Sequence, residues 1–175
     1  MTRNDKGFTL LEIIIAVFLF SIISAAIFSV LATAKNSLSA GESQISVQQA
    51  CRNGLDSMIR ELRQTGVSTI TGVPANGTNY SSITFQIPTA IAAAGITWSS
   101  NIQYALGGLN GAQLLRTQSG SQKVLANNIS ALSFNRSTAN PNVVNISVTA
   151  QKNTFPGFTA MQSTITFNSQ VRLRN

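Results

Sequence analysis

The sequence predicts an α+β fold: a long N-terminal α-helix, packed by its C-terminal half on an antiparallel β-sheet head. Three observations predict it. An uncharged apolar run lies near the start of the chain, from Ile13 to Ala34. An apolar stripe at helical spacing follows, from Cys51 to Leu62. From Val67 onward, apolar residues recur at every second position and are broken by Gly, Asn and Pro.

The apolar run holds 22 residues, interrupted only by Ser21, Ser24, Ser29 and Thr33. As a helix it is about 33 Å long, enough to cross a hydrocarbon core of roughly 30 Å. It exceeds the apolar core of an ordinary secretory signal, and no clean small-residue cleavage site follows it. Ahead of it, Arg3 and Lys6 stand with the free amino terminus against Asp5. By the positive-inside rule this basic leader stays cytoplasmic and the rest of the chain lies across the membrane. Glu12 sits one turn inside the helix, where a carboxylate is costly in lipid and tends to be paired.

Beyond Lys35 the helical pattern becomes amphipathic. Cys51, Leu55, Met58, Ile59 and Leu62 fall on one face, and Arg52, Asp56, Arg60 and Arg63 on the other. Asp56 is spaced to meet Arg52 and Arg60 at i±4. Arg60 and Arg63 occupy the last turn, and Gly66 reads as the C-cap. No Pro precedes Pro74. One helix is therefore expected from about Phe8 to about Thr65, close to 87 Å in length. Gly41 and Gly54 are the points at which it would bend or loosen. Cys51 lies in the stripe and reads as a small buried apolar residue, with no His to activate it.

In the head, residues 72–80 read as a loop. Ile83, Phe85 and Ile87 alternate with polar residues, and Pro88 is expected to end that strand. The state of Ala90–Gly95 is left open by its composition. Asn101–Leu106 and Gln113–Gln118 read as a hairpin around Gly107-Gly108-Leu109-Asn110-Gly111. Strands follow near Lys123–Leu125, Ala131–Arg136, Val143–Gln151 and Ser163–Leu173. The last two are expected to pair antiparallel across a 152–162 loop. Six or seven strands can bury a usable core against the helix. Five Asn-x-Ser/Thr sequences, at Asn76, Asn79, Asn128, Asn135 and Asn145, are what a chain this rich in Asn, Ser and Thr produces.

Charge narrows the function. Charged residues make up 10% of the chain and the net charge is +7. All five acids (Asp5, Glu12, Glu42, Asp56 and Glu61) lie within the first 61 residues. Residues 62–175 hold no acid and seven bases: Arg63, Arg116, Lys123, Arg136, Lys152, Arg172 and Arg174. With one Cys and no His, a Ser-His-Asp triad, a mixed Cys/His zinc site and an intrachain disulfide are all excluded. A glycosidase carboxylate pair and a carboxylate-rich calcium site cannot be built from residues 62–175. The chain is read as non-enzymatic, without metal or cofactor.

The junction Lys6-Gly7-Phe8-Thr9-Leu10-Leu11-Glu12 carries a specific resemblance. It resembles the class III signal of type IV prepilins and pseudopilins, a short basic leader ending in Gly ahead of an apolar helix. The resemblance implies that a prepilin peptidase cuts between Gly7 and Phe8 and methylates Phe8. It also implies that the apolar helix is retained, and that Glu12 pairs with the N-terminal amine of a neighbouring subunit. The partners it implies are prepilin peptidase, other major and minor pilins or pseudopilins, and the bacterial inner membrane. The head then lies on the periplasmic or extracellular side, and the whole would be a pilin-like lollipop. Its divisions are a leader (1–7), a membrane and filament-core helix (8–34), an amphipathic helix (35–66) and a β-rich head (67–175).

The head is similar to the larger minor pseudopilins and minor pilins of the PulJ/GspJ and PilW type. Leu62–Gly66, the Tyr104–Arg116 hairpin, Leu132–Phe134 and Val171–Asn175 carry that similarity. Two departures point away from a type IVa major subunit. Ser29 stands about where such pilins carry a mid-helix Pro, and the paired C-terminal cysteines are lacking. The implied function is a structural subunit of a type IV pilus or type II secretion pseudopilus, in assembly priming or a tip complex. The alternative is a pilin-like DNA receptor of a competence or uptake system. In either case Arg116, Lys123, Arg136, Arg172 and Arg174 are the candidate contacts to a partner or to phosphates.

Overall fold

A computed structural model describes residues 8–93, 95–155 and 158–174. The expected leader, 1–7, lies outside them. One helix, α1 (Leu10–Leu62), is followed by ten strands in antiparallel sheets, so the α+β class is as the sequence predicts. The chain divides into two compact units, Met1–Gly41 and Glu42–Asn175, and α1 contributes to both.

In the first unit α1 exposes its apolar side chains all round, from Leu10 to Leu31. Among the described residues it is the one helix long and apolar enough to cross a membrane. Two of its hydroxyls bond back to the helix. Ser21 Oγ donates to the Val17 carbonyl at 2.7 Å, and Thr33 Oγ1 to that of Ser29 at 3.0 Å. Such i−4 bonds let small polar residues sit in an apolar helix at low cost.

In the second unit the C-terminal turns of α1 enter a shared core. Val47, Cys51, Leu55, Met58 and Leu62 are buried, with Ile59 packed against them. The stripe read from the sequence is therefore the packing face, extended one turn earlier by Val47. Gly54 belongs to it too. A Cβ there would lie 2.7 Å from Leu114 Cδ2 and 3.3 Å from Ala126 Cβ, so its bare backbone lets the helix approach the sheet closely.

One four-stranded sheet joins β1 (Asn79–Tyr80), β8 (Ile129–Arg136), β9 (Val143–Phe155) and β10 (Phe158–Arg172), in the order β1-β8-β9-β10. Its inner face carries Leu132, Phe134, Val144, Ile146, Val148 and Val171, all buried. Its outer face holds uncharged polar rows: Asn79, Asn135, Asn145 and Gln170 pair across all four strands, and Ser133, Ser147 and Asn168 form the next row. Three of the five Asn-x-Ser/Thr asparagines thus stand side by side in one strand-pairing row. The second sheet, in the order β2-β5-β6-β7, joins β2 (Ile83–Phe85), β5 (Ile102–Gly107), β6 (Gln113–Gln118) and β7 (Ser121–Asn127). Phe85 and Tyr104 stack in its core face with ring centroids 5.8 Å apart. A separate two-stranded ribbon is formed by β3 (Pro88–Ala92) and β4 (Gly95–Trp98).

Four expectations need correction. Pro88 does not only close a strand; it opens β3, a first-residue position where its missing N–H costs no ladder bond. The 152–162 loop is largely strand, because the register anchored at Val148↔Phe167 continues through Ser163↔Lys152 and Gln162↔Asn153 to Phe158↔Phe155, with an irregularity before the last pair. Gly66 is not a left-handed C-cap. Its φ of −81° and ψ of 148° are extended, and it bridges to Arg174 beyond a turn in which Thr65 N–H donates to the Leu62 carbonyl. Asp56 makes no ion pair among the described residues, and Arg52 lies over the Phe167 ring instead, 5.6 Å from its centroid.

Candidate assembly site

The start of α1 is built by a reciprocal cap. Thr9 precedes the first helical residue and Glu12 stands three residues later, the Thr-x-x-Glu spacing of a capping box. The Thr9 backbone N–H donates to Glu12 Oε2 at 2.8 Å, and the Thr9 hydroxyl donates to the same oxygen at 3.0 Å. In return the Glu12 N–H donates to Thr9 Oγ1 at 3.3 Å. A carboxylate in this position also favours the positive end of the helix dipole. Phe8, on the side of the expected cleavage that would become the new terminus, is highly exposed. Gly7 lies outside the described residues. The sequence marked Glu12 as a carboxylate in need of a partner; the structure gives it one inside its own chain.

A second polar cluster was not foreseen. Glu61, on the last turn of α1, accepts from Tyr104 Oη at 2.8 Å and from Arg116 Nε at 2.9 and 3.1 Å. Arg116 Nη2 donates further to Gln118 Oε1 at 2.8 Å. Tyr104 is fully buried, and burial together with the Glu61 carboxylate holds its phenol well above the usual tyrosine range. The cluster ties the helix end to β5 and β6. One signal could have found it: Glu61 is the last acid of the chain and borders the buried stripe, so a base buried on that side of the head had it as its nearest carboxylate.

Of the five candidate bases, Arg116 and Lys123 are cross-strand partners on β6 and β7, and Arg172 and Arg174 lie two residues apart. Arg136 is buried, its Nε and Nη2 donate to the Pro141 carbonyl at 2.9 and 2.7 Å, and its Nη1 donates to that of Val73 at 3.1 Å. It pins two loops rather than reaching outward, and burial lowers its affinity for its proton. Arg116 is half-buried and paired with Glu61. These two placements correct the surface roles expected for them: both guanidiniums saturate internal acceptors. Lys123, Arg172 and Arg174 are exposed, on β7, β10 and the segment after β10. Cys51 is buried and its thiol is pushed up by burial, as a packing residue would be. Among the described residues no cluster of His, Cys, Asp or Glu could hold a metal.

Residues 2–28 match the family model of the prokaryotic N-terminal methylation motif, a type IV pilin-like signal. The match covers the junction, the cap and the first turns of the apolar helix, and leaves the head unmatched. No curated protein and no solved structure matches the chain.

Proposed function

We propose that this chain is a minor pilin or pseudopilin, a structural subunit of a type IV pilus or a type II secretion pseudopilus acting in assembly priming or a tip complex. The observation that carries the proposal is a coincidence at residues 8–12. The methylation motif overlaps a reciprocal cap that seats Glu12 at the mouth of an exposed apolar helix. On this reading residues 1–7 are a leader, and prepilin peptidase cuts after Gly7 and methylates Phe8. The chain is held in the inner membrane by residues 8–34, with residues 35–66 and the 67–175 head beyond it. Assembly moves the apolar helix from lipid into a bundle of like helices, which costs little burial because both surroundings are apolar. Glu12 then supplies register by exchanging Thr9 for the amine of a neighbour. The work is mechanical, not catalytic.

The PulJ/GspJ and PilW type is favoured by the likeness at Leu62–Gly66, Tyr104–Arg116, Leu132–Phe134 and Val171–Asn175. The DNA-receptor alternative has weaker support, since Arg116 and Arg136 are engaged inside the fold.

The test is expression of the full chain with and without active prepilin peptidase, followed by N-terminal sequencing. The expected product begins at methylated Phe8 only when the peptidase is active, and Glu12→Ala is cleaved but fails to co-purify with other pilin-like subunits. An intact leader on the wild-type chain in the presence of the peptidase refutes the proposal.

A further inference from the structure

The β3–β4 ribbon is the least explained part of the head. It has no third strand, and a two-stranded ribbon is marginal in water by itself. Ile91 and Ile96 are direct cross-strand partners, yet they are 66% and 49% exposed. Residues 88–101 contain no charge, so the ribbon lacks the lysines that natural sheets place on open edges. Its apolar face opens on a cavity of about 420 Å³ that Pro88, Ile91, Ile96 and Trp98 line from one side and Gly66 and Arg174 from the other.

The cavity is held in shape by backbone. Ser99 N–H donates to the Ile87 carbonyl at 2.8 Å, and Ile87 N–H donates to Ser99 Oγ at 3.1 Å, which fixes the foot of the ribbon. Arg174 N–H donates to the Thr65 carbonyl at 3.0 Å beside the Gly66 bridge. A Cβ on Gly66 would meet Trp98 Cη2 at 3.0 Å, so glycine leaves room for the indole at that wall. The Arg174 side chain is exposed at the rim, and no described acidic side chain is within ion-pair reach of it.

We propose that this cavity docks an acidic, apolar segment of a different polypeptide, one aliphatic or aromatic side chain entering between Trp98 and the isoleucines while a nearby carboxylate meets Arg174. Charge complementarity selects the occupant. Residues 62–175 carry seven bases and no acids, so this part of a second copy has no Asp or Glu to offer Arg174. A preformed apolar pocket flanked by a guanidinium fits an anchor residue next to Asp or Glu. The inference rests on the assembly reading, whose head would meet a neighbouring subunit.

The test uses the full-length chain in cells that make the rest of its machinery, with a benzophenone amino acid in place of Ile91. After irradiation the cross-linked peptide is sequenced. The expected peptide comes from another polypeptide and has Asp or Glu within a few residues of the attachment point. Arg174→Glu is expected to lower the yield about tenfold, as loss of an interfacial charge pair does, and Arg174→Lys to retain most of it. The same photoreactive residue in place of Thr166, on the outer face of the other sheet, should be indifferent to both changes. Cross-links to a second copy, to lipid or to a segment without acids overturn the proposal. So does the absence of a cross-link, or a yield unmoved by Arg174→Glu. Leader cleavage is read on the same samples. An uncleaved wild-type chain sinks the assembly reading, whereas a cleaved chain without the Ile91 cross-link sinks the docking proposal alone.

Discussion

Removing the Glu61 side chain should destabilise the head out of proportion to its place on a helix surface. Glu61→Ala leaves two donors without their acceptor. The first is the Tyr104 hydroxyl, on a ring that is fully buried, and an orphaned buried donor costs about 1–3 kcal/mol. The second is Arg116 Nε, whose side chain is 20% exposed. Water can reach it in part, so its loss is discounted to about 0.5–1 kcal/mol. The sum is about 1.5–4 kcal/mol. Tyr104→Phe removes donor and need together and should cost only about 1 kcal/mol, since Glu61 keeps Arg116. The double variant should then be less damaged than the two single losses added, with a coupling of about 1 kcal/mol. Urea titration of a soluble fragment, residues 35–175, followed by near-UV circular dichroism and Trp98 emission, measures all four corners of the cycle. A Glu61→Ala midpoint within 0.5 kcal/mol of wild type, on the scale of ordinary surface changes, would falsify the claim that the cluster clamps helix to sheet.

Three other outcomes are expected. Gly54→Val should cost about 3 kcal/mol, the upper range for overpacking, because its side chain would overlap Leu114, which is fully buried and has no room to move; an unchanged urea midpoint counts against the close helix–sheet approach. Arg136→Met should lower stability by about 2–4 kcal/mol by stripping the Val73 and Pro141 carbonyls of their donors, and faster proteolysis within residues 137–142 would report it. Alkaline pH should weaken the head in two stages. Burial raises the folded-state values of both the Cys51 thiol and the Tyr104 phenol, so each holds its proton more tightly when folded. Stability is whole below the unfolded-state values, about 8.5 and 10, and falls above them by up to about 1.4 kcal/mol per pH unit for each group until its raised folded-state value is passed. Cys51→Ala should delay the onset from near pH 8.5 to near 10, and Tyr104→Phe should remove the later stage. A flat profile to pH 11 contradicts both.

What the residues disclosed, and what they hid, divides along local and long-range physics. The apolar run, the Cys51–Leu62 stripe and the Gly107–Gly111 hairpin are periodic or turn-encoded, and they stand where the pattern put them, within a residue or two. The β9–β10 pairing was legible as a pair but not in its length. A 152–162 loop was expected, whereas an antiparallel ladder once set in register keeps adding pairs through polar residues such as Lys152 and Asn153. The Gly66 cap is corrected, and the close approach at Gly54 was missed, for a related reason. A glycine can serve backbone conformation or close approach, and only the positions of Trp98 and Leu114 distinguish them. At the candidate site the Thr-x-x-Glu spacing of residues 9–12 is visible in the sequence, although the cap itself was not read from it. The placement of the head bases was not legible, because whether Arg136 points outward or into the fold depends on carbonyls 5 and 63 residues away.

The reciprocal cap at Thr9 and Glu12 has a consequence for reversibility. A carboxylate left bare in hydrocarbon would drive its helix toward the first available cation, and an assembly born that way would be hard to take apart. Here the oxygen that would be bare is already engaged by Thr9. A solitary chain can wait in a bilayer without that pressure. On the assembly reading, a cation that takes this oxygen competes with Thr9, so the free energy of that exchange is a difference between two bonded states. A subunit that leaves can then close its own cap behind it.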